Sequence, residues 1–307
     1  MESKQLRNIQ RIEDSQKKKI LFINAKRKDC KSIVPHNGLA IFAGILKKRG
    51  HKVLIVDYQF THNAPKISEF IIKFNPDVIG MSIYTASFFE SENIIKQIRK
   101  TTNETPLIVG GPHATIYPDL LEKDKRIDYI CVGEGELRII KLIENAQRES
   151  KPFISKKDSL VNLDDIPIPD YKAFYQWEKI RSYPIMTSRG CPFNCSFCIV
   201  SQFSKKWRTR KIEYCIEELK LAKKELTKNL NVIIQDDHPF VDKERFYNFL
   251  DLYKKEIKCR FSIINTRADS IDNKILKTLK SNGCESICIS LESAHPEVFK
   301  LANKGES

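Results

Sequence analysis

The sequence predicts an α/β protein of two units, a doubly wound parallel sheet followed by an incomplete barrel of strand–helix repeats. Short apolar strands alternate with amphipathic helices along most of the 307 residues. A segment with two prolines close together interrupts this alternation near the middle of the chain, and the length also favours two domains. We therefore expect a first unit at residues 18–148, a linker at 149–182 and a second unit at 183–307.

The composition limits the compartment and the partners. The chain has nine cysteines, and it has no apolar run of about 18 residues that would span a bilayer. Residues 1–17 lack the apolar core of a secretory signal and are expected to form a mobile basic tail. Thiols without an export signal favour the reducing cytoplasm. The net charge of +14 permits nucleic-acid binding, but lysines spread along the chain favour a solvated surface.

Five predicted strands alternate with five predicted helices in the first unit. The strands lie at residues 20–23, 53–56, 78–84, 107–109 and 129–132. The helices lie at residues 38–48, 66–74, 88–100, 119–122 and 136–147. Apolar strands separated by helices indicate a parallel sheet that is covered on both faces. Such sheets bind ligands beyond the carboxyl ends of their strands.

The strand ends of this unit offer small residues and no dinucleotide motif. The loop after the first strand, residues 24–29, lacks the G-x-G-x-x-G pattern, which argues against dinucleotide binding. Ser82 lies near the end of the third strand, and Gly110 and Gly111 follow the fourth. Paired glycines allow a ligand to approach the backbone closely. Tight strand-to-helix turns would use the same glycines, and from the residues alone they are the favoured explanation.

The second unit repeats the strand–helix pattern four times. Its predicted strands lie at residues 183–186, 232–234, 261–264 and 286–289. Its predicted helices lie at residues 212–227, 245–255, 274–282 and 296–303. In a barrel of parallel strands, the chemistry lies at the carboxyl ends of the strands. The polar residues at those ends are Asp236, Asp237, Arg267, Glu292 and Ser293.

Three cysteines lie within eight residues, directly after the first strand of the second unit. Cys191, Cys195 and Cys198 are spaced four and three apart, and Phe197 precedes the last of them. Three thiolates on one short loop can hold a soft metal centre. A zinc ribbon would need a second cysteine pair, and a fully ligated iron–sulfur cluster would need four cysteines. Three ligands leave one metal position open for chemistry. Incidental buried cysteines are the alternative.

This C-x-x-x-C-x-x-C loop resembles the cluster loop of radical SAM enzymes. The resemblance implies that the three cysteines bind a [4Fe-4S] cluster and that its open iron binds S-adenosylmethionine, which is cleaved reductively to a 5′-deoxyadenosyl radical. A reduced flavodoxin or ferredoxin would supply the electron. The positions that such enzymes use for S-adenosylmethionine correspond here to Phe197, Asp236, Asp237, Arg267, Glu292 and Ser293.

The roles that the resemblance implies differ among these positions. The two aspartates would receive the methionine amino group, and Arg267 would meet the carboxylate through a charge-assisted hydrogen bond. Glu292 and Ser293 would hold the ribose hydroxyls and the amino group, and Phe197 would pack near the adenine. For each carboxylate, a helix cap is the alternative, and Asp269 is expected to cap a helix.

The first unit resembles the cobalamin-binding domain found in many radical SAM proteins, a flavodoxin- or Rossmann-like sheet. The matching segments are residues 35–57, 110–117 and 133–136. In such domains, positions that correspond to Ser82 and to the pair Gly110 and Gly111 contact the nucleotide tail of the corrin. The D-x-H-x-x-G motif, which supplies a histidine ligand to cobalt, is missing after the first strand. The resemblance therefore implies cobalamin that is held without a protein ligand to cobalt.

The combined resemblance predicts a cobalamin-dependent radical SAM enzyme that transfers methyl groups to an unactivated carbon or phosphorus of an unknown substrate. Barrels of this family have six strand–helix units, so the four found here predict a truncated chain or a partner chain that completes the barrel. A non-catalytic remnant that binds the cluster or the corrinoid is one alternative. A methylthiotransferase is another, but it would need three cysteines in the first unit, which offers only Cys30 and Cys131.

Overall fold

The computed structural model describes residues 17–27, 34–61, 63–155, 160–200, 205–227 and 229–304. The predicted N-terminal tail lies outside these residues except for Lys17, and Cys30 also lies outside them. No helix in the described part of the chain is long and apolar enough to cross a membrane.

Six parallel strands form the sheet of the first unit. They are β1 (Lys19–Asn24), β2 (Lys52–Asp57), β3 (Val78–Ser82), β4 (Leu107–Gly110), β5 (Tyr129–Cys131) and β6 (Phe153–Ser155). Their order across the sheet is β2-β1-β3-β4-β5-β6. This order reverses direction between β1 and β3, which is where flavodoxin-like sheets bind their ligands.

Helices cover both faces of this sheet. They are α1 (Asn37–Lys48), α2 (Ile67–Phe74), α3 (Phe88–Thr101), α4 (Pro112–Ile116), α5 (Pro118–Leu121) and α6 (Ile139–Glu144). The side chains of Ile20 and Phe22 pack with those of α1 and α6, whereas Leu21 and Ile23 pack with those of α2 and α3. Alternate residues of β1 thus enter two different cores, which explains why the strand is apolar throughout.

The sixth strand lies in the segment that the sequence assigned to the linker. Residues of β6 pair in parallel with β5, from Tyr129 opposite Phe153 to Cys131 opposite Ser155. The expectation of a linker that begins at residue 149 is therefore wrong for this strand. Beyond it, the chain runs along the opposite edge of the sheet, where the Tyr175 amide donates to the Ile55 carbonyl at 2.8 Å.

Four parallel strands form the main sheet of the second unit. They are β7 (Ser182–Ile185), β10 (Asn231–Ile234), β11 (Phe261–Thr266) and β12 (Cys284–Ile289), in the order β12-β11-β10-β7. Helices α7 (Ile212–Glu225), α8 (Lys243–Glu256) and α9 (Asn273–Ser281) connect them, and α10 (Pro296–Leu301) follows β12. This repeated strand–helix pattern is the one that the sequence predicts.

Two short strands were not predicted. β8 (Ser188–Arg189) and β9 (Arg208–Thr209) form an antiparallel ribbon at the base of the segment that carries the three cysteines. One hydrophobic cluster extends from Leu46 of α1 through Tyr171 and Tyr183 to Phe249 of α8. The two units therefore share a core, and the carboxyl ends of both sheets are held in a fixed relation.

Candidate functional site

The register of the first sheet brings polar residues together at its carboxyl edge. Asn24 of β1 lies beside Asp57 of β2 and beside Ser82 of β3, and Ser82 lies beside Gly110 of β4. Parallel strands that end at the same level present their last residues to a common space. The predicted cobalamin residues Ser82 and Gly110 are thereby neighbours.

A buried hydrogen-bond network joins this edge to the start of α1. Asn24 Nδ2 donates to Asp57 Oδ1 at 2.8 Å, and the His36 amide donates to Asp57 Oδ2 at 3.0 Å. His36 Nδ1 accepts from the Leu39 amide at 3.2 Å, which assigns the proton of the neutral ring to Nε2. Burial lowers the pKa of His36 and favours that neutral form. His36 Nε2 lies 3.0 Å from Ser82 Oγ, so it can donate to the serine and leave the serine proton for a ligand.

Glycines keep the backbone at this edge open to a ligand. Gly111 has a φ of +91°, and a Cβ at this position would lie 2.8 Å from Ser82 Oγ. A Cβ at Gly135 would lie 2.6 Å from Cζ of Phe42. Gly111 therefore requires glycine for its backbone conformation and for space, and a side chain at position 135 would displace the ring of Phe42.

A cavity of about 410 Å³ lies above this edge. Ser82, Gly110 and Gly111 all line it, and Met186 and Arg189 of the second unit close its other side. Cavities of this size are typical of sites for small molecules. The glycine backbone and the hydroxyl of Ser82 fit the flat, nitrogen-containing tail of a corrinoid, so the residues present are compatible with cobalamin.

Two aspartates after β10 hold the base of the cysteine loop. Asp236 accepts hydrogen bonds at 2.6 Å from the Thr187 amide, the Thr187 hydroxyl and the Ser188 hydroxyl. Asp237 Oδ2 accepts from the Gly190 amide at 2.7 Å. Burial raises the pKa of both carboxyls, and these hydrogen bonds act in the opposite direction. Both oxygens of Asp236 are already used, so here its observed role is to position the loop.

The three cysteines lie on the loop that these aspartates hold. All three side chains are half-buried, and burial raises the pKa of the Cys191 and Cys195 thiols. The Arg267 guanidinium opposes this effect at Cys195, where its Nη1 lies 4.0 Å from Sγ. A nearby cation favours the thiolate that binds iron.

The three thiols do not form a site for a single metal ion in the described residues. Within the described ranges, no three His, Cys, Asp or Glu side chains converge on a point that one metal ion would fill. Cysteines that each bind a different iron of a cluster need not converge on one point. The donor set of three thiols beside a cation is therefore compatible with [4Fe-4S].

Arg267 is held in place beside the cysteine loop. Its guanidinium forms a two-point ion pair with Asp269, at 3.0 and 2.6 Å, and its Nη1 donates to the Lys304 carbonyl at 2.6 Å. The guanidinium carbon also lies 3.7 Å from the centre of the Phe193 ring. The expectation that Asp269 caps a helix is wrong, because Asp272 accepts from the Ile275 amide and caps α9.

The remaining predicted contacts of S-adenosylmethionine are more exposed. Glu292 has a φ of +65° and lies 3.6 Å from Lys304 Nζ. Ser293 Oγ accepts from the His295 amide at 3.0 Å, and Phe197 is 55% exposed. Lys304, which sequence reasoning missed, thus links Arg267 to Glu292 beside Cys195. In the sequence, Lys304 stands out only because it follows a predicted helix, and the chain contains many other lysines.

A second set of residues that sequence reasoning missed joins the two units. Arg189 Nη1 lies 2.7 Å from Glu136 Oε1, and Arg208 pairs with Glu134 through both terminal nitrogens. The sequence showed the glutamates at the end of β5 and the arginines beside the cysteines. Nothing in a single sequence indicates that residues so far apart meet.

Comparisons with known proteins agree with both halves of the structure. A model of the B12 binding domain matches residues 27–143, and a model of the Radical SAM superfamily matches residues 185–307. An uncharacterized methyltransferase of Pyrococcus horikoshii is 32% identical over 88% of this chain and 63% of its own length. A putative methylthiotransferase of Methanocaldococcus jannaschii is 27% identical over 87% of this chain and 62% of its own length.

Solved structures show the same fold. The cobalamin-dependent S-adenosylmethionine radical enzyme OxsB, with aqua-cobalamin and S-adenosylmethionine bound, gives a TM-score of 0.71 at 19% identity, over 95% of this chain and 46% of that one. The radical S-adenosylmethionine methyltransferase TsrM from Kitasatospora setae, with cobalamin and [4Fe-4S] bound, gives a TM-score of 0.69 at 16% identity. This match covers 95% of this chain and 64% of that one. The chain thus spans less than two thirds of the length of these relatives.

The two matched domains confirm the predicted fold class and the predicted cofactors: cobalamin, [4Fe-4S] and S-adenosylmethionine. The predicted incompleteness of the barrel stays a prediction. The chain belongs to the radical SAM superfamily, among the members that carry a B12 binding domain before the radical SAM domain.

Proposed function

We propose that this protein acts as a cytoplasmic radical SAM methyltransferase and that it binds cobalamin in the cavity of its first unit. The observation that carries this proposal is that residues of both units line that cavity. Ser82 and Gly111 line it from the first sheet, and Arg189, two residues before Cys191, lines it from the second unit. A corrinoid in this space would adjoin the base of the cluster loop, which would bring the two cofactors close to each other.

The proposed cluster ligands are Cys191, Cys195 and Cys198. When bound, the cluster supplies the electron that cleaves S-adenosylmethionine, and cobalamin carries a methyl group. We assign Arg267 to the methionine carboxylate, because its guanidinium lies beside Cys195 and is held rigidly by Asp269. A positioned guanidinium binds a carboxylate through charge-assisted hydrogen bonds.

The other proposed contacts follow from the carboxyl ends of the strands. Asp237, Glu292 and Ser293 would meet the polar groups of S-adenosylmethionine, and Phe197 would cover the adenine from its exposed position. Asp236 would act through the loop that it holds. Reduced flavodoxin or ferredoxin is the proposed electron donor.

The relative from Methanocaldococcus jannaschii raises methylthiotransferase activity as a second possibility. Such enzymes carry a second cluster on three cysteines of the first unit, according to the resemblance described above. Residues 18–148 contain only Cys30 and Cys131. We therefore favour methyl transfer.

Cofactor loading of paired variants tests the proposal. The full chain is purified without oxygen, reconstituted with iron and sulfide, and incubated with hydroxocobalamin at a saturating concentration. We expect about four iron atoms per chain, as a [4Fe-4S] cluster requires, together with bound cobalt.

Cys198→Ser should lose iron and keep cobalt. Gly111→Val should lose cobalt and keep iron, because its side chain would enter the space beside Ser82 Oγ.

The two variants control for each other, since each keeps the cofactor that the other loses. Cobalt that fails to bind the wild-type chain would refute the corrinoid site. Iron that remains unchanged in Cys198→Ser would refute the cluster site.

A further inference from the structure

The ribbon that closes the cysteine loop has an unfavourable pair of like charges at the end nearest the cysteines. Arg189 of β8 and Arg208 of β9 are register partners across the antiparallel pair. Like charges directly opposite each other destabilise such a pair. The loop between them, residues 190–207, carries all three cysteines. Closing its base therefore requires anions from elsewhere in the molecule.

Two glutamates of the first unit supply these anions. Glu136 Oε1 lies 2.7 Å from Arg189 Nη1, and Glu134 Oε1 lies 3.9 Å from the same nitrogen. Glu134 also pairs with both terminal nitrogens of Arg208. The side chains of the four residues are only 8–19% exposed, so salt screens these pairs weakly.

The glutamates belong to a loop that lines the cavity. Residues 133–136 follow β5, and Glu134, Glu136 and Arg189 all contribute to the cavity lining. Gly133 has a φ of +82°, and Gly135 leaves no room for a side chain. Glycines give a loop more conformational freedom than other residues would. A ligand packed against this loop would reduce that freedom.

We propose that Glu134 and Glu136 are positioning residues that couple the two cofactor sites, so that a corrinoid in the cavity and a cluster on the cysteine loop each strengthen the binding of the other. This inference rests on the proposed function. A ligand that orders residues 133–136 fixes the glutamates, and the glutamates fix the two arginines at the base of the cysteine loop. The second ligand then meets a loop that is already ordered, which gives positive cooperativity.

The coupling can be measured as a ratio of two affinities. The dissociation constant of hydroxocobalamin is determined by anaerobic absorbance titration, once on the cluster-free full chain and once on the cluster-loaded chain. In the wild type we expect the cluster to lower this constant about tenfold, a typical size for coupling between two sites. Equilibrium linkage requires that hydroxocobalamin strengthen cluster binding by the same factor.

Arg208→Gln is the most informative variant, because Arg208 is not among the described residues that line the cavity. The variant removes the partner of Glu134 and should bring the affinity ratio close to one. Arg208→Lys keeps the charge and should recover part of the ratio. If Arg208→Gln does not fold, Glu134→Gln removes the same ion pair from the other side. A merely structural role would change the fold or both affinities without changing their ratio.

Glu144→Gln is the matched control. Glu144 is similarly buried and pairs with Arg49 at 3.4 Å, but it is not among the described residues that line the cavity. This variant should keep the wild-type ratio. As a second readout, hydroxocobalamin should slow amide hydrogen exchange at residues 186–200 in the cluster-free wild type, and Arg208→Gln should abolish that protection.

The possible failures are distinguishable. Hydroxocobalamin that binds the cluster-free and cluster-loaded wild type equally well would overturn the coupling and leave the proposed function standing. A tenfold ratio that persists in Arg208→Gln would overturn the role of these ion pairs. Hydroxocobalamin that binds neither form would overturn the proposed corrinoid site and the coupling with it.

Discussion

Asp236 shows how one buried carboxylate holds the base of the cysteine loop. It accepts three hydrogen bonds from Thr187 and Ser188, all at 2.6 Å. In Asp236→Asn, the amide nitrogen would face one of these donors, and a buried polar group would lose its partner. We expect the free energy of unfolding of the metal-free chain to fall by about 2–3 kcal/mol, measured by urea denaturation.

Asp242→Asn provides the control for this measurement. Asp242 accepts from the Arg245 amide and caps α8 from an exposed position. Asparagine caps helices about as well as aspartate, so this variant should stay close to the wild type. An equal loss of stability in both variants would contradict the role assigned to Asp236.

His238 makes stability depend on pH in a definite direction. Burial, and then the charge of Arg267, lower its pKa to about 4. The unfolded chain, with a pKa near 6.5, therefore takes up the proton first as the pH falls. The folded state binds fewer protons, so stability is complete above pH 6.5 and is lost as the pH falls towards 4.

His238→Asn should lose less stability than the wild type between pH 6.5 and 4, measured by urea denaturation of the metal-free chain at several pH values. Part of the slope will remain, because burial also lowers the pKa of His36, His51 and His113. His295→Asn, at an exposed position, should behave as the wild type does. A wild-type slope in His238→Asn would contradict this account.

At the scale of residues, the sequence predicted binding residues at the ends of strands, but it did not predict the ion pairs that join the two units. Ser82, Gly110 and Gly111 were noted at the predicted strand ends and were assigned to cobalamin through the family resemblance, and they line one cavity. Arg208 and Arg210 follow the cysteines in a basic stretch of the sequence, and in the structure they pair with Glu134 and Glu218. A surface charge and a buried ion pair look the same in one sequence, because the partner is chosen by tertiary structure.

Helix α1 packs so closely on the linker that Gly44 has no room for a side chain. A Cβ at this position would lie 2.5 Å from the Ile168 carbonyl oxygen, which is backbone and cannot rotate away. Overpacking of this kind costs about 1–3 kcal/mol, and the better helix propensity of alanine offsets up to about 1 kcal/mol. We expect Gly44→Ala to lower the free energy of unfolding by about 1–2 kcal/mol, measured by urea denaturation.

Gly110→Ala is the comparison variant for stability. A Cβ at position 110 would lie 3.5 Å from Cys131 Cβ, which is an ordinary contact. The free energy of unfolding of this variant should stay within about 0.5 kcal/mol of the wild type, as for substitutions that meet no special feature. A Gly44→Ala chain as stable as Gly110→Ala would show that α1 and the linker are less closely packed than described.

At the scale of elements, long apolar strands and amphipathic helices were predictable, and short pairings were not. β6 has three residues, follows Pro152 and becomes a strand only because β5 offers an unpaired edge. β8 and β9 have two polar residues each and no apolar alternation. Their pairing depends on Asp236, Glu134 and Glu136, and these three residues lie far from the ribbon in the sequence.

At the scale of the whole molecule, the two units are joined by a common core and by buried charges. Tyr171 illustrates the first connection, since its ring lies 4.8 Å from that of Tyr183 and its hydroxyl donates to Asn37 Oδ1 at 3.0 Å. The ion pairs of Arg189 and Arg208 with the glutamates after β5 form the second. This arrangement places the carboxyl edge of the first sheet opposite the cysteine loop.

Formation of 5′-deoxyadenosine tests the central claim most directly. The full chain is loaded with cluster and hydroxocobalamin without oxygen, mixed with S-adenosylmethionine and a strong reductant, and analysed by chromatography beside the Cys195→Ala variant. We predict 5′-deoxyadenosine from the wild type and none above background from Cys195→Ala. An intact wild-type cluster that yields no 5′-deoxyadenosine would contradict the proposal that these residues support radical SAM chemistry.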